Sequence, residues 1–319
     1  MKLLVVGANS PTGKSLTEIL RKRKIRFHAP ADKHFDLKDP AAMARLIAES
    51  APTQLVNLTD FISSNHSALR RAETAYARCN RINAELPTAL SQVCAQQGIP
   101  LLHLSNSYVF DGEKRLGYNE NDEPRPLGVY GRASLEGENA VRAWEKHIIV
   151  RSGWLFGKFK KGLIKSWIRA AKKHHGQIDV VRRHVSPTPT EDMASAIMAI
   201  CLQVDCDANA WGTYHYSGLG TKREKELAEQ TLKYAANHDE EIYQLLDSVR
   251  FTEHEAVAPE LRNATLSSKK IFDTFAIKQK SWHGDLQEAI KTLYGDRPRP
   301  APEAVDKNVT TTNAASAPA

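Results

Sequence analysis

Long hydrophobic runs are absent from this 319-residue sequence. No stretch approaches the roughly eighteen apolar residues that a membrane-spanning helix needs, which argues against a membrane partner. Cysteine is scarce. Cys79, Cys94, Cys201 and Cys206 follow no metal-ligand spacing, so they read as buried thiols and no metal is expected. The first apolar run, Met1 to Gly7, is not followed by the cleavage region of a signal peptide. It reads as a first strand in a cytoplasmic protein. The net charge of +7 is spread over separate runs, Arg21 to Lys24, Lys158 to Lys161, Lys172-Lys173 and Arg182-Arg183. None of these is interleaved with aromatics on a recognisable motif, so nucleic acid is not expected as a partner. A diphosphate-bearing small molecule suits some of these charges better.

Hydrophobic residues make up 41% and charged residues 25%, as in a soluble globular protein with a sizeable core. The first half alternates strand and helix patterns. Strands are expected at 2–6, 25–28, 54–58, 100–104 and 147–150, with helices at 13–22, 72–97 and 135–146. This alternation predicts an α/β fold, a Rossmann-type doubly wound parallel sheet. After Arg151 helices dominate, at 163–173, 190–203, 222–236 and 281–294, with short strands at 178–181 and 212–216. They predict a smaller α+β substrate-binding part. Residues 297–319 are rich in Pro, Ala, Thr and Asn and should be disordered.

The segment Gly7-Ala8-Asn9-Ser10-Pro11-Thr12-Gly13-Lys14 follows a strand and opens a helix, the context of a dinucleotide-binding loop. Glycines there let the backbone approach a pyrophosphate, and the helix N-terminus supplies N–H donors. Gly7 and Gly13 fit. Ser10 stands where a middle glycine belongs; its Cβ crowds the phosphate, while the Ser10 and Thr12 hydroxyls are donors. A tight strand–helix turn without ligand is the alternative reading. The second strand ends in His28-Ala29-Pro30, with no acidic residue for ribose hydroxyls. With Lys14 and Lys33 nearby, this favours NADPH over NADH. Asp36-Leu37 lies within reach of the adenine edge.

Further on come Ser105-Asn106-Ser107-Tyr108-Val109-Phe110-Asp111-Gly112 and Tyr130-Gly131-Arg132-Ala133-Ser134-Leu135-Glu136-Gly137-Glu138. Together with Val56-Asn57, Asn83-Ala84, Arg151 to Gly157, Ser186-Pro187-Thr188 and Gly212 to Gly218, they give the order of one family. Over nearly all of residues 1–296 the chain resembles the dTDP-4-dehydrorhamnose reductases, which are extended short-chain dehydrogenases. The resemblance implies hydride transfer from NADPH or NADH to the C4 ketone of a nucleotide-linked 4-keto-6-deoxysugar. It implies residues 1–150 as the cofactor-binding domain, with the sheet completed around 185–217. Residues 151–184 and 218–296 would bind the sugar nucleotide. By position, Tyr130 matches the proton donor, Asn106 the ketone-polarising hydroxyl residue, Ser134 the lysine and Asn83 the water-relay asparagine. Asn57 falls to the cofactor, and Ser107, Tyr108, Trp154, Lys161 and Arg183 to the substrate. A homodimer is also compatible with the family.

Three positions depart from the pattern: Ser10, Asn106 and Ser134. A lysine one helical turn after the tyrosine lowers the phenol pKa, and Ser134 carries no charge. Arg132 lies about 200° around the helix from Tyr130 and cannot simply replace it. Loss of an acid–base aid typically costs about 10²–10⁴-fold in rate. Two functions therefore stay open. One is an impaired reductase. The other is a catalytically inactive homologue that binds a nucleotide sugar or dinucleotide in a regulatory role. Packing alone is the alternative for Tyr108, Phe110 and Trp154, a helix-end charge for Asp192, and a solvated face for His174-His175.

Overall fold

The computed structural model describes residues 1–61 and 66–295. The tail expected at 297–319 lies outside the described residues. Twelve strands are described: β1 (Lys2–Val6), β2 (Arg26–His28), β3 (Gln54–Asn57), β4 (Leu101–Asn106), β5 (His147–Ser152), β6 (Trp154–Phe156), β7 (Gln177–Arg182), β8 (His184–Val185), β9 (Pro187–Pro189), β10 (Gly212–Tyr216), β11 (Lys222–Arg223) and β12 (Arg250–Glu255). Six of them form one parallel sheet in the order β10-β5-β4-β3-β1-β2. Of the stretch 185–217, only Gly212–Tyr216 joins this sheet. β8 pairs with β11 and β9 with β6 in two-stranded ladders.

Successive strand residues face opposite sides of the sheet, and both sides are covered. Leu3, Val5, Val56, Ile148 and Val150 pack beneath α1 (Pro11–Lys22) and, later in the chain, the helix of Met193 and Ile197. Leu4, Val6, Leu55 and Ile149 face α2 (Pro40–Ser50) and Leu90 of the later helix Leu86–Gln97. A separate core gathers Phe156, Trp167, Val180, Leu227, Trp282 and Leu286 under the smaller part. Each large side chain so buried contributes about 1.5–3 kcal/mol. The chain leaves β1 toward β2 on one side and reaches β3 on the other. The switch point, where doubly wound sheets open a crevice, therefore lies at the carboxyl ends of β1 and β3.

The helices at Pro40–Ser50, Glu240–Leu245 and Lys269–Phe275 were not expected from the sequence, and two expected helices differ in their bounds. The helix expected at 72–97 is α3 (His66–Thr74), α4 (Tyr76–Asn80), a π-helical turn (Arg81–Glu85) and α5 (Leu86–Gln97). The turn's wider winding aims the Asn83 amide at the Phe61 N–H, 2.9 Å away. The helix expected from Leu135 is α6 (Val129–Arg142), six residues earlier in start. Its first residue follows Gly128, which has no capping side chain. The cap comes from α3 instead: Val129 N–H donates to Glu73 Oε1 at 2.7 Å. The remaining helices are α7 (Gly162–Lys173), α8 (Thr190–Asp205), α9 (Glu224–Ala235), α10 (Glu240–Leu245), α11 (Lys269–Phe275) and α12 (His283–Tyr294). Among the described residues no helix is long and apolar enough to cross a membrane.

Two buried histidines set a pH response. Burial lowers the His103 pKa to about 4. Burial and the Arg151 charge lower that of His215 to about 3. Both bind a proton in the unfolded chain near pH 6.5 but resist it when folded. The unfolded state therefore holds more protons below that pH, and stability falls as pH drops from about 6.5 toward 4 and then 3. Urea midpoints measured across this window should decline, and His215→Gln should decline less steeply. Asp285, raised to about 6 by burial and the neighbouring carboxylates, acts in the opposite sense. The slope difference between wild type and His215→Gln is therefore the decisive reading, and equal slopes would count against the burial of His215.

Candidate active site

At the carboxyl ends of β3, β4 and β5 a cleft opens toward the smaller part. α6 reaches its floor by direct backbone contact. A Cβ on Gly131 would lie 2.1 Å from the Tyr108 carbonyl oxygen, and one on Gly137 would lie 2.1 Å from that of Asn83. Only glycine permits either approach, and both hold Tyr130 and Ser134 on the buried side of the helix.

Tyr130 and Ser134 sit one turn apart in one hydrogen-bond network, joined where Asn83 Nδ2 also donates to Asp60 Oδ1 at 3.4 Å. The Ser134 hydroxyl accepts from Asn83 Nδ2 and from Asn106 Nδ2, each at 3.0 Å, and donates to the Tyr130 carbonyl at 2.9 Å. The amide oxygens are already used. Asn83 Oδ1 takes the Phe61 N–H, and Asn106 Oδ1 takes the Tyr108 N–H at 3.0 Å. This fixes the orientation of both amides. Asn106 thereby caps a 3₁₀ turn, Ser107–Val109, that carries Tyr108. The Tyr130 phenol donates to Asp60 Oδ1 at 2.8 Å. Burial, then the Asp60 charge and hydrogen bond, push the phenol pKa well above its usual value. A lysine at Ser134 would act in the opposite direction. Sequence reasoning missed Asp60. Its only signal was its place just past β3 at the switch point.

The β1–α1 loop is tightly wound against its own backbone. Gly7 has φ +75°, and a Cβ there would meet the Thr59 N at 2.6 Å; Gly13 would strike the Gly7 oxygen at 2.2 Å. Asn9 is exposed at the tip, and Pro11 starts α1. One donor is taken: Ser10 Oγ accepts the Gly13 N–H at 3.0 Å. A bound phosphate would compete with that cap, and Thr12 remains in the first turn beside it. Asn57 is turned inward, accepting the Thr59 N–H and Oγ1–H and meeting His103. Asp36 pairs with Arg81, and Leu37 packs against the core beside α2. None of the cofactor candidates, Gly7, Asn9, Ser10, Pro11, Thr12, Gly13, Asp36, Leu37 or Asn57, lines the cleft.

The substrate candidates divide. Ser107, Tyr108, Trp154 and Arg183 line the cleft. Arg183 is fully buried against Glu224 at 2.6 Å, and its other nitrogen reaches the Tyr108 hydroxyl at 3.4 Å. Trp154 stacks on Phe156 and leans on Trp167, so packing and cleft lining coincide in it. Lys161 turns away, its Nζ donating to the Thr292 carbonyl at 3.3 Å. The neighbouring Lys160 lines the cleft instead. Asp192 binds Tyr216 and Lys280 and does not line the cleft. Among the described residues no group of His, Cys, Asp and Glu is placed to hold a metal ion.

A six-stranded parallel sheet, a glycine loop at its switch point and a buried tyrosine over the strand ends define a Rossmann-type α/β protein of the short-chain dehydrogenase architecture. Within that class, the chain belongs to the RmlD substrate binding domain family, which matches residues 1–294. It is 29% identical over 300 residues to the dTDP-4-dehydrorhamnose reductase of Sinorhizobium fredii, covering 92% of this chain and 98% of the relative. The corresponding Streptomyces griseus protein is 28% identical over 301 residues, covering 94% and 96%. The solved dTDP-4-dehydrorhamnose reductase of Clostridium acetobutylicum superimposes with a TM-score of 0.76 at 26% identity, over 92% of this chain and 99% of that one. The Bacillus anthracis reductase, solved in complex with NADP, gives 0.72 at 23% identity, over 90% and 96%, and shares the fold.

Proposed function

We propose that this protein is a cytoplasmic NADPH-dependent reductase of a nucleotide-linked 4-keto-6-deoxysugar, of the kind used in dTDP-rhamnose and related deoxysugar biosynthesis. The observation that carries this reading is Tyr130. Its phenol lines a cleft between the sheet and the smaller part, in a chain that follows the family over residues 1–294. The relatives are named dTDP-4-dehydrorhamnose reductase, and one is solved with NADP. Residues 1–150 with β10 would hold the cofactor through Gly7, Ser10, Thr12 and Gly13. Residues 151–184 and 218–296 would hold the sugar nucleotide through Trp154 and Arg183. A homodimer belongs to the same proposal.

The cofactor supplies the hydride. The Tyr130 phenol supplies the proton to the new alkoxide, and Asn106, whose Nδ2 faces Ser134, contributes no hydroxyl to polarise the ketone. Trp154 and the apolar wall exclude water. With a raised phenol pKa and a neutral Ser134, this site is a slow one. The same two observations support the second reading, a catalytically silent nucleotide-sugar binder.

NADPH oxidation with a dTDP-4-keto-6-deoxysugar separates the two. Turnover should be measurable and higher with NADPH than with NADH. Tyr130→Phe should lower kcat by about 10²–10⁴-fold while leaving the cofactor Kd within a few-fold. Equal kcat in Tyr130→Phe would remove the phenol from the mechanism. Micromolar sugar-nucleotide binding without turnover would favour the silent binder.

A further inference from the structure

Among the described residues two cationic side chains line the cleft, Lys160 and Arg183. Arg183 is matched by the buried Glu224 carboxylate. Lys160 comes from the segment between β6 and α7, whose three lysines diverge. Lys158 pairs with Glu18 on α1, Lys161 reaches Thr292, and Lys160 alone of the three lines the cleft. Its backbone is fixed. Gly157 N–H donates to the Lys160 carbonyl at 3.2 Å, and Lys160 N–H returns to the Gly157 carbonyl at 2.9 Å. Gly157 has φ +153°, and a Cβ there would strike Thr190 Oγ1 at 2.4 Å, so the turn is seated against α8. Asp60, which accepts the Tyr130 phenol, lines the same cleft. Arg132, the other cation close in sequence, is exposed and donates to the Leu127 carbonyl.

We propose that Lys160 supplies, from the substrate side of the cleft, the positive charge that α6 lacks at Ser134. This inference rests on the reductase reading of the same site. When Tyr130 gives its proton to the alkoxide, the phenol O–H bond breaks and the alcohol O–H bond forms. The resulting phenolate faces the Asp60 carboxylate, and two anions at hydrogen-bond distance repel. The Lys160 ammonium offsets that charge. The phenolate then regains a proton relayed through Asp60: an N–H bond of Lys160 breaks as an Asp60 O–H bond forms, and that bond breaks as the Tyr130 O–H bond re-forms. The neutral amine is reprotonated by hydronium from bulk solvent, the proton that the overall reduction consumes. Lys160 does not touch the reacting carbonyl in this scheme and acts as a positioning residue. Its own environment suits the role, since burial lowers its pKa while the Asp60 charge partly offsets that lowering. The other groups that act on the phenol are Tyr108 and Cys79 on α4. The Cys79 thiol is pushed up to about 12 by burial and the charges of Asp60 and Glu73, and so stays neutral.

The test uses the full chain as wild type, Lys160→Met and Lys160→Arg. Each is assayed for NADPH-dependent turnover of a dTDP-4-keto-6-deoxysugar across pH. Each is also prepared with 3,5-difluorotyrosine at position 130 and titrated by fluorine NMR. Lys160→Met should lower kcat by about 10²-fold with KM within a few-fold, and should raise the phenol pKa. Lys160→Arg should keep most of both properties. An unshifted phenol titration in Lys160→Met overturns the inference whatever happens to kcat, because a merely structural lysine would leave the phenol unmoved. If the wild type has no turnover, the titration still decides. A shift then supports the charge coupling while the reductase reading falls.

Discussion

Ser134→Lys destabilises this protein by about 3–5 kcal/mol and restores little activity, although it recreates the Tyr-x-x-x-Lys spacing of short-chain dehydrogenases. Ser134 is buried, and its oxygen is met by two N–H donors, from Asn83 and Asn106. An ammonium has three donors and no acceptor, so it would face donors on both sides. Neither amide can simply turn over, because each oxygen holds a backbone N–H. The result is a desolvated charge set against two donors, with the Tyr130 carbonyl as the acceptor Ser134 already uses. Urea unfolding and NADPH turnover check the expectation together. A variant as stable as wild type and faster would show that the amides rearrange at little cost. Pairing the change with Asn106→Thr removes one opposing donor and should recover part of the lost stability.

Glu138→Gln should cost about 3–5 kcal/mol as well, for a different reason. The Glu138 carboxylate is fully buried and accepts four hydrogen bonds. They come from Ser105 Oγ at 2.6 Å, Arg151 Nε at 2.9 Å and Nη2 at 2.7 Å, and Arg142 Nη2 at 2.6 Å. Burial would raise its pKa, but the hydrogen bond and charge of Arg151, with the Arg142 charge, hold it below the usual carboxylate value. The amide would leave Arg151 charged and buried, with an N–H₂ turned toward it. His215, 3.3 Å from Arg151, cannot take the charge. Loss of this anchor between α6, β4 and β5 should loosen the helix that carries Tyr130. Arg151→Met added to Glu138→Gln should restore part of the stability, since an uncharged pair has less desolvation to repay. A Glu138→Gln midpoint equal to wild type would mean that the network is not a net source of stability.

The parallel sheet was legible because its strands are short apolar runs at regular intervals, and the glycine loop because its strand–helix context is local. Tyr130, Asn106, Asn83 and Ser134 were legible as positions in a family order, and they do meet in space. The chemistry of their meeting was not legible. Asp60 precedes Tyr130 by seventy positions, and their hydrogen bond exists only once α6 packs over the end of β3. The start of α6 was hidden for the same reason, since its cap is Glu73 on another helix. Lys161 and Lys160 differ by one place. A tight turn decides which of them enters the cleft, and composition carries no trace of it. Asn57 followed the family order as a cofactor contact, yet its amide is spent on the turn that follows it.

The position of β10 at the edge of the sheet has a consequence for how the chain is made. β5 gains its outer neighbour only when Gly212–Tyr216 has been synthesised, after the whole run from β6 to α8. At roughly 5–20 residues per second on the ribosome, the open side of β5 waits for seconds. An unpaired strand edge is a template for another chain, so crowded polysomes or fast overexpression should raise aggregation during this interval.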